Sequence, residues 1–441
     1  MDTPIFDAIK KYKEKKPLRF HMPGHKGKEE LFGEYAKELI SLDVTELDET
    51  DNLAAPRGAI LKAEEEISKA FSAVRSFILT GGSTLGNLSM IYGNLKCGDK
   101  ILLDRNSHLS VFSALVLSGA DPIYIGGGLF DKCGALRPPS AEEVLKAAKE
   151  NPDAKAVFIT SPNSFGVCAD LFEISKICKE KNMLLLVDEA HGAHFAFHKK
   201  LPETAMKSGA DAAVQSFHKT LPALTQTAVL HIGNGKIKES TERALRLFQS
   251  SSPSYLLTAS ADFARAFMDI HGKEKFDGII NFLENNMPQK ALKNDDILRL
   301  CIKCDGRKSE NILKRENIVP EMCGAGYAVF IITAADSIKD IGRLLSVIKT
   351  LPAWDGEDKY FGICPKQITP HEAFNAPFRT APFKEAAGKI SKNAIFRYPP
   401  GVPVVAPGEE ITKDALEYIE AFKKKGDVFS GVTDIIEICN I

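Results

Sequence analysis

The stretch QSFHKTLPALTQ, residues 215–226, places Lys219 where an apolar run gives way to a polar turn. A lysine there is either a solvated surface cation or an amine kept from water as a nucleophile for a carbonyl. Thirty-one positions upstream, MLLLVDEAHGAHFAF sets Asp188 at the end of the most apolar run in the chain. A carboxylate is costly to bury there unless a cation or a strong donor meets it. Further upstream, SFILTGGSTLGNLSMI runs from strand through a glycine-rich turn into a helix. Gly82 lets the backbone approach an anion, and free N–H groups with the hydroxyls of Ser83 and Thr84 can hold a phosphate.

Each of these features has a structural reading of its own. The glycine turn is neither a Walker loop nor a G-x-G-x-x-G fingerprint, and such turns occur without a ligand. In KILLDRNSHLSVFSAL, His108 can be a helix cap. His191 and His194, with Asp188 or Glu189, allow a metal site, although a Gly-Ala loop does not set two histidines on one face as a helix would. What decides is the set: a phosphate loop, a ring to stack on a cofactor, a buried carboxylate and a lysine, in that chain order. Pyridoxal phosphate requires that combination, whereas a dinucleotide or metal site leaves Lys219 unexplained.

These residues need a frame. From about residue 75 to 232 the chain alternates short apolar runs with helical stretches: SFILT, KILLD, DPIYI, KAVFIT, MLLLVD, DAAVQS and TAVLHI. Near-continuous Val, Ile and Leu marks strands buried on both faces, so an α/β fold with a mostly parallel sheet is predicted. Ligands of such sheets bind beyond the carboxyl ends of the strands, where the candidate residues fall. After about residue 240 long helices, YAVFIIT and YPPGVPVVAPGEE indicate a smaller α+β domain. The expected division is a helical N-terminal segment, 1–40, a large domain, 41–270, and a C-terminal domain, 271–441. The first segment reads as a helix capped by Thr3, with Pro4 leading and Ile5, Ile9 and Tyr12 on one face.

Bulk properties narrow the partners. The 441 residues include 57 Lys and Arg against 58 Asp and Glu, so no basic footprint for nucleic acid or an anionic membrane exists. Hydrophobic residues at 44% and charged residues at 26% give the balance of a soluble globular protein. No run approaches the ~20 apolar residues of a membrane span, and no secretory signal is present, so a cytoplasmic protein is expected. Nine cysteines, an odd number, argue against a disulfide framework. Cys301 and Cys304 form one C-x-x-C, but in the alternating stretch ILRLCIKC they would point to opposite faces.

In order along residues 18 to 410, FHMPGHKG, DVTELDETDNL, GGSTLGN, DRNSHLSV, SPNSFGVCADL, VDEAHGAH, SFHKTLPALTQ, SSPSYLL and YPPGVPVVAPGE closely resemble the bacterial Orn/Lys/Arg decarboxylase family. The resemblance implies a pyridoxal-phosphate enzyme of the aspartate-aminotransferase fold that releases CO₂ and an amine from arginine, lysine or ornithine. It implies Lys219 as the Schiff-base residue and Asp188 as partner of the pyridine nitrogen. His108 would stack on the ring, His191 would lie beside it, and Gly82, Ser83, Thr84, Ser216 and His218 would surround the phosphate. It also implies a homodimer or higher even oligomer with sites at the interface, which the acidic segment Asp43 to Asp51 would reach. Departures from the family pattern are Phe217 where threonine is usual, SPNSFG in place of an SPTYYG type of segment, and Asn52 after Asp51 where paired aspartates are common. Arg379 and Arg397 are candidates to hold a substrate carboxylate, as an aminotransferase would require. An aminotransferase, a carbon–carbon lyase and a non-catalytic cofactor-binding relative are the competing readings.

Overall fold

The structure is a computed structural model that describes residues 12–357, 362–397, 401–424 and 428–440. The helix cap expected at Thr3 and Pro4, with Ile5 and Ile9, lies outside these residues, as do Tyr398 to Pro400 and the side chain of Arg397.

All seven apolar runs form strands of one sheet. They are β1 (Arg75–Leu79), β2 (Lys100–Asp104), β3 (Asp121–Ile125), β4 (Ala156–Thr160), β5 (Leu184–Asp188), β6 (Ala212–Gln215) and β7 (Ala228–Ile232). Their order across the sheet is β1-β7-β6-β5-β4-β2-β3. β7 is antiparallel to both neighbours, and the pairs β2/β3, β2/β4, β4/β5 and β5/β6 are parallel.

Double-sided burial explains the near-continuous apolar sequence. Ala156, Phe158 and Leu186 enter the core on one face, while Val157, Ile159, Leu185 and Val187 enter the core on the other. Alternate residues of one strand thus serve two different layers. Helix α1 (Ala59–Phe71) packs on β1, and α2 (Gly82–Asn94) leaves the end of β1. Gly86 permits the second approach, since a Cβ there would lie 2.3 Å from Val214 Cγ2 of β6.

The remaining chain closes over the carboxyl ends of the strands. A 32-residue helix, α3 (Tyr255–Asn286), leads to a three-stranded antiparallel sheet of Arg299–Lys303, Tyr327–Ile331 and Met322–Cys323. Within the expected N-terminal helical segment, Leu18–Phe20 is a strand paired in parallel with Ile318–Pro320 in a separate two-stranded sheet, with Phe20 buried in the core. A separate apolar core joins Ile395, Val405, Ile411, Ile419, Phe429 and Ile438 near the C-terminus.

One buried ion pair ties that C-terminal part to the sheet. Arg105, just past β2, donates from Nε and Nη2 to the Glu409 carboxylate at 2.8 and 2.7 Å and from Nη1 to the Pro403 carbonyl at 2.8 Å. Glu409 also accepts from the Ala406 N–H at 2.7 Å, so the segment 402–409 is pinned on both sides. Removing one partner would strand a buried charge, at a cost of about 3–5 kcal/mol. Glu409→Ala is therefore expected to lower unfolding stability by that amount in urea titration; a loss under ~1 kcal/mol would show that the pair does not hold the two parts together.

Candidate active site

The carboxyl ends of five parallel strands deliver Ser83, His108, Asn163, Asp188 with His191, and Lys219 to one pocket. Met22 from the N-terminal segment, Glu321 from the three-stranded unit and Val402 from the pinned segment complete its walls. Lys219 sits on the one-turn helix Phe217–Thr220 that follows β6. The N-terminal segment buttresses this turn: the Gly24 N–H donates to the His218 carbonyl at 2.7 Å, and a Cβ at Gly24 would lie 2.5 Å from the Leu221 carbonyl oxygen.

Asp188 ends β5, 3% exposed. Its cost of burial is met by hydrogen bonds: Asn87 Nδ2 donates to Oδ2 at 2.8 Å and the Ala190 N–H donates to Oδ1 at 3.0 Å. Asn87 also donates to Ser110 Oγ at 3.0 Å, and that hydroxyl meets His108 Nδ1 at 2.9 Å. The Ser110 N–H donates to the same nitrogen at 3.2 Å, so Nδ1 is an acceptor and the neutral ring carries its hydrogen on Nε2. One amide side chain thus orients both the carboxylate and the ring. Burial lowers the His108 pKa, the Lys219 charge lowers it further, and Asp188 opposes both.

Lys219 Nζ lies 3.1 Å from His191 Nε2, and His191 Nδ1 lies 3.0 Å from Arg299 Nη2. Burial lowers the amine's pKa, Asp188 and Glu321 pull the other way, and Arg299 adds to the depression. His191 is held well below the ordinary imidazole range, first by burial and then by Lys219 and Arg299. An amine, a fixed carboxylate and two neutral histidines facing one cavity can form and orient an imine with a carbonyl compound.

The donor set also fits a phosphorylated cofactor. Helix α2 starts at Gly81 without a side-chain cap, which leaves first-turn N–H groups and the positive end of the dipole beside Ser83. Ser216 Oγ is buried with no hydrogen-bond partner among the described residues, as expected of a group placed for a ligand oxygen.

Comparison with known proteins agrees with this geometry. The model for the Orn/Lys/Arg decarboxylase major domain matches residues 3–302, and that for the family's C-terminal domain matches residues 359–438. The chain belongs to the Orn/Lys/Arg decarboxylase family. The arginine decarboxylase of Bacillus subtilis (strain 168) is 32% identical over 95% of this chain and 93% of its own. An uncharacterized protein of the same organism, YaaO, is 35% identical over 95% of this chain and 93% of its own. The structure of lysine decarboxylase A from Pseudomonas aeruginosa superposes with a TM-score of 0.77 at 17% identity, over 95% of this chain and 77% of that one, a likeness of fold.

Not every residue expected at the site of this family member lines the pocket. Ser83, His108, Asp188, His191 and Lys219 do; Gly82, Thr84, Ser216 and His218 do not, although Gly82, Thr84 and His218 are each a chain neighbour of a lining residue. His218 Nδ1 meets the Thr227 carbonyl at 2.9 Å, so its donor points away from an anion when the ring is neutral. Phe217 is fully buried and packs on Phe71 with ring centroids 5.4 Å apart, so this departure serves the core. His194 turns away to Asp296 at 3.2 Å, and among the described residues no cluster of His, Cys, Asp and Glu is arranged for a metal. Cys301 and Cys304 are both buried and free.

Asp51 is engaged elsewhere. Its carboxylate accepts from the N–H groups of Asn52, Arg57, Gly58 and Ile60 at 2.8 to 3.0 Å, capping α1, whose Gly58 has no side chain to do so. Burial would raise its pKa, but the N–H groups of Arg57, Asn52, Gly58 and Leu61 hold it at about 2.

Sequence reading missed Asn87, Ser110, Arg299 and Glu321. Asn87 stands four residues after Ser83 on one helix, a spacing that places both on the same face and offered a signal. Arg299 and Glu321 offered none, because only the tertiary fold brings them to β5 and β6.

Two outcomes follow from these contacts. Asn87→Leu should weaken pyridoxal phosphate binding roughly tenfold in a cofactor titration, since a hydrogen bond to a charged group contributes about 1.5 kcal/mol or more; unchanged affinity would remove Asn87 from the site. Asp51→Ala should cost about 1–2 kcal/mol of stability at pH 7, as lost caps do. A depressed folded-state pKa stabilises above the unfolded value, so the difference from wild type should vanish as pH falls through about 4 to 2. A constant difference across that window would mean that the carboxylate is not the cap.

Proposed function

We propose that this chain decarboxylates a basic amino acid to the corresponding amine and CO₂ with pyridoxal phosphate held in the Lys219 pocket. Arginine is the first candidate, from the 32% identity to the Bacillus subtilis arginine decarboxylase. The single observation that carries the reading is the placement of the depressed Lys219 amine and the hydrogen-bonded Asp188 carboxylate in one pocket at the ends of neighbouring strands.

The cofactor, when bound, supplies an electron sink for the pair left behind by departing CO₂. The chain's own residues do the rest. Lys219 would hold the cofactor through its amine and would be the group that carries a proton to the substrate carbon. Asp188 would face the ring nitrogen, its two oxygens oriented by the Asn87 amide and the Ala190 N–H. His108 presents its ring to the pocket, oriented by Ser110. Ser83, the start of α2 and Ser216 would hold the phosphate. Glu321, one oxygen of which takes the Met22 N–H at 2.9 Å, gives the pocket a carboxylate for a basic substrate side chain. Phe165, Met322 and Val402 supply apolar wall, and a carboxylate leaving as neutral CO₂ gains from such surroundings.

Arg379 is exposed on the C-terminal strand Phe378–Pro382 and does not line the pocket, so it gives no support to an aminotransferase. A homodimer fits the exposed apolar side chains of Leu39, Ile40, Leu42, Val44 and Leu47, which a second copy would cover. No described helix is long and apolar enough to cross a membrane, and the nine cysteines are free, as in a reducing cytoplasm.

The test is a panel of arginine, lysine, ornithine and neutral amino acids with the cofactor-loaded protein, scoring amine and CO₂ together. Equal release of both from one basic amino acid is expected. Appearance of a keto acid or aldehyde, or no turnover despite bound cofactor, would overturn the reading. Asp188→Asn should lower turnover by a factor of a hundred or more while leaving the cofactor attached; full turnover would contradict the role given to Asp188.

A further inference from the structure

We infer that Arg299, which stands behind the pocket, fixes His191 as the Nε2–H tautomer and so holds Lys219 as an uncharged amine. Arg299 is a positioning residue in this scheme, acting on the amine through the imidazole.

Donors and acceptors fix the assignment. A guanidinium has five N–H donors and no acceptor. The 3.0 Å contact of Arg299 Nη2 with His191 Nδ1 therefore requires a lone pair on Nδ1. A neutral imidazole with its lone pair there carries its hydrogen on Nε2. That hydrogen faces Lys219 Nζ at 3.1 Å, and the amine can accept it only when it has a lone pair of its own. The two other assignments fail. If Lys219 were an ammonium donating to Nε2, both ring nitrogens would be acceptors, which demands an imidazolate. If His191 were an imidazolium, Nδ1–H would face a guanidinium N–H, donor against donor and cation against cation.

The position of Arg299 is enforced. It begins the strand Arg299–Lys303 and is 1% exposed. Its N–H donates to the Asp296 carbonyl at 2.9 Å, and its own carbonyl accepts from Asn294 Nδ2 at 2.7 Å. Gly166 packs so tightly that a Cβ there would lie 2.6 Å from Arg299 Cβ. Among the described residues, Nε and Nη1 have no hydrogen-bond partner, so the contact with His191 is the directional bond that the buried guanidinium makes. Asp296 and Glu321 provide counter-charge without such a bond.

The charged and titratable groups around the pair are consistent. His191 is faced by Lys219, Arg299, His108 and His218, all of which disfavour a charged ring. Lys219 is faced by Asp188 and Glu321, which favour its ammonium form, and by Arg299, which opposes it. Burial opposes the ammonium, and the tautomer relay gives that opposition a directional cause. It also denies His191 a role as proton reservoir for the substrate carbon, because its one hydrogen is committed and it cannot take a second. This inference does not depend on the substrate or on the cofactor.

The experiment uses the full chain without cofactor, labelled with ¹⁵N-histidine, with the His191 resonances assigned by comparison with His191→Gln. Wild type should show a neutral His191 with hydrogen on Nε2 from pH 6 to 8. In parallel, acylation of Lys219 is followed by peptide mass spectrometry across pH. Arg299→Met should release the Nδ1–H tautomer and move the onset of Lys219 acylation up by one pH unit or more, a tenfold loss of reactivity at fixed pH. Arg299→Lys keeps a donor and should restore both readouts. An imidazolium or an Nδ1–H ring in the wild type would overturn the inference, as would an Arg299→Met protein with unchanged tautomer and reactivity. Should Arg299→Met fail to fold, the wild-type spectrum and the lysine variant decide.

Discussion

An amine that has to act as a nucleophile must be withheld from both water and contact with an anion, yet remain close enough to a carboxylate to share one ligand with it. The role proposed for Lys219 places that constraint on this structure. Lys219 and Asp188 stand at the ends of adjacent strands, where the sheet separates them at a set distance and where the strands' own N–H and C=O groups are already paired. Burial depresses the lysine, and hydrogen bonds from Asn87 and Ala190 make the buried carboxylate tolerable. A salt bridge between the two would satisfy both and leave neither for a ligand.

Around this pair the fold supplies orientation more than reactivity. Asn87, Ser110 and His108 form one hydrogen-bonded chain from Asp188, and Arg299 and His191 form another that ends on Lys219. Both chains begin on elements outside the sheet ends, so the helix α2 and the strand Arg299–Lys303 are parts of the site although neither carries a reacting group. The N-terminal segment and the pinned segment 402–409 each contribute a wall to the cavity, through Met22 and Val402.

Much of this was legible in the sequence. Seven apolar runs became seven strands because burial on both faces leaves no room for polar alternation, and the rule that ligands bind beyond the carboxyl ends then located Ser83, His108, Asp188, His191 and Lys219 together. The capping role of Asp51 went unread for a definite reason: a carboxylate that caps a helix from seven residues before Gly58 has no local signature. Arg299 reads as one more residue of an alternating strand until the fold sets it against His191, 108 positions away in the chain. Phe217 looks like a lost hydroxyl beside the lysine, yet a one-turn helix points neighbouring side chains in different directions, and this one enters the core. Long-range polar pairing is what composition and periodicity do not carry.

The account rests on Lys219 as the attachment point of pyridoxal phosphate. The most direct measurement is borohydride reduction of the cofactor-loaded protein followed by peptide mapping of the pyridoxyl group. The account predicts the label on Lys219, with loss of the label in Lys219→Ala; a stoichiometric label on any other lysine would contradict it.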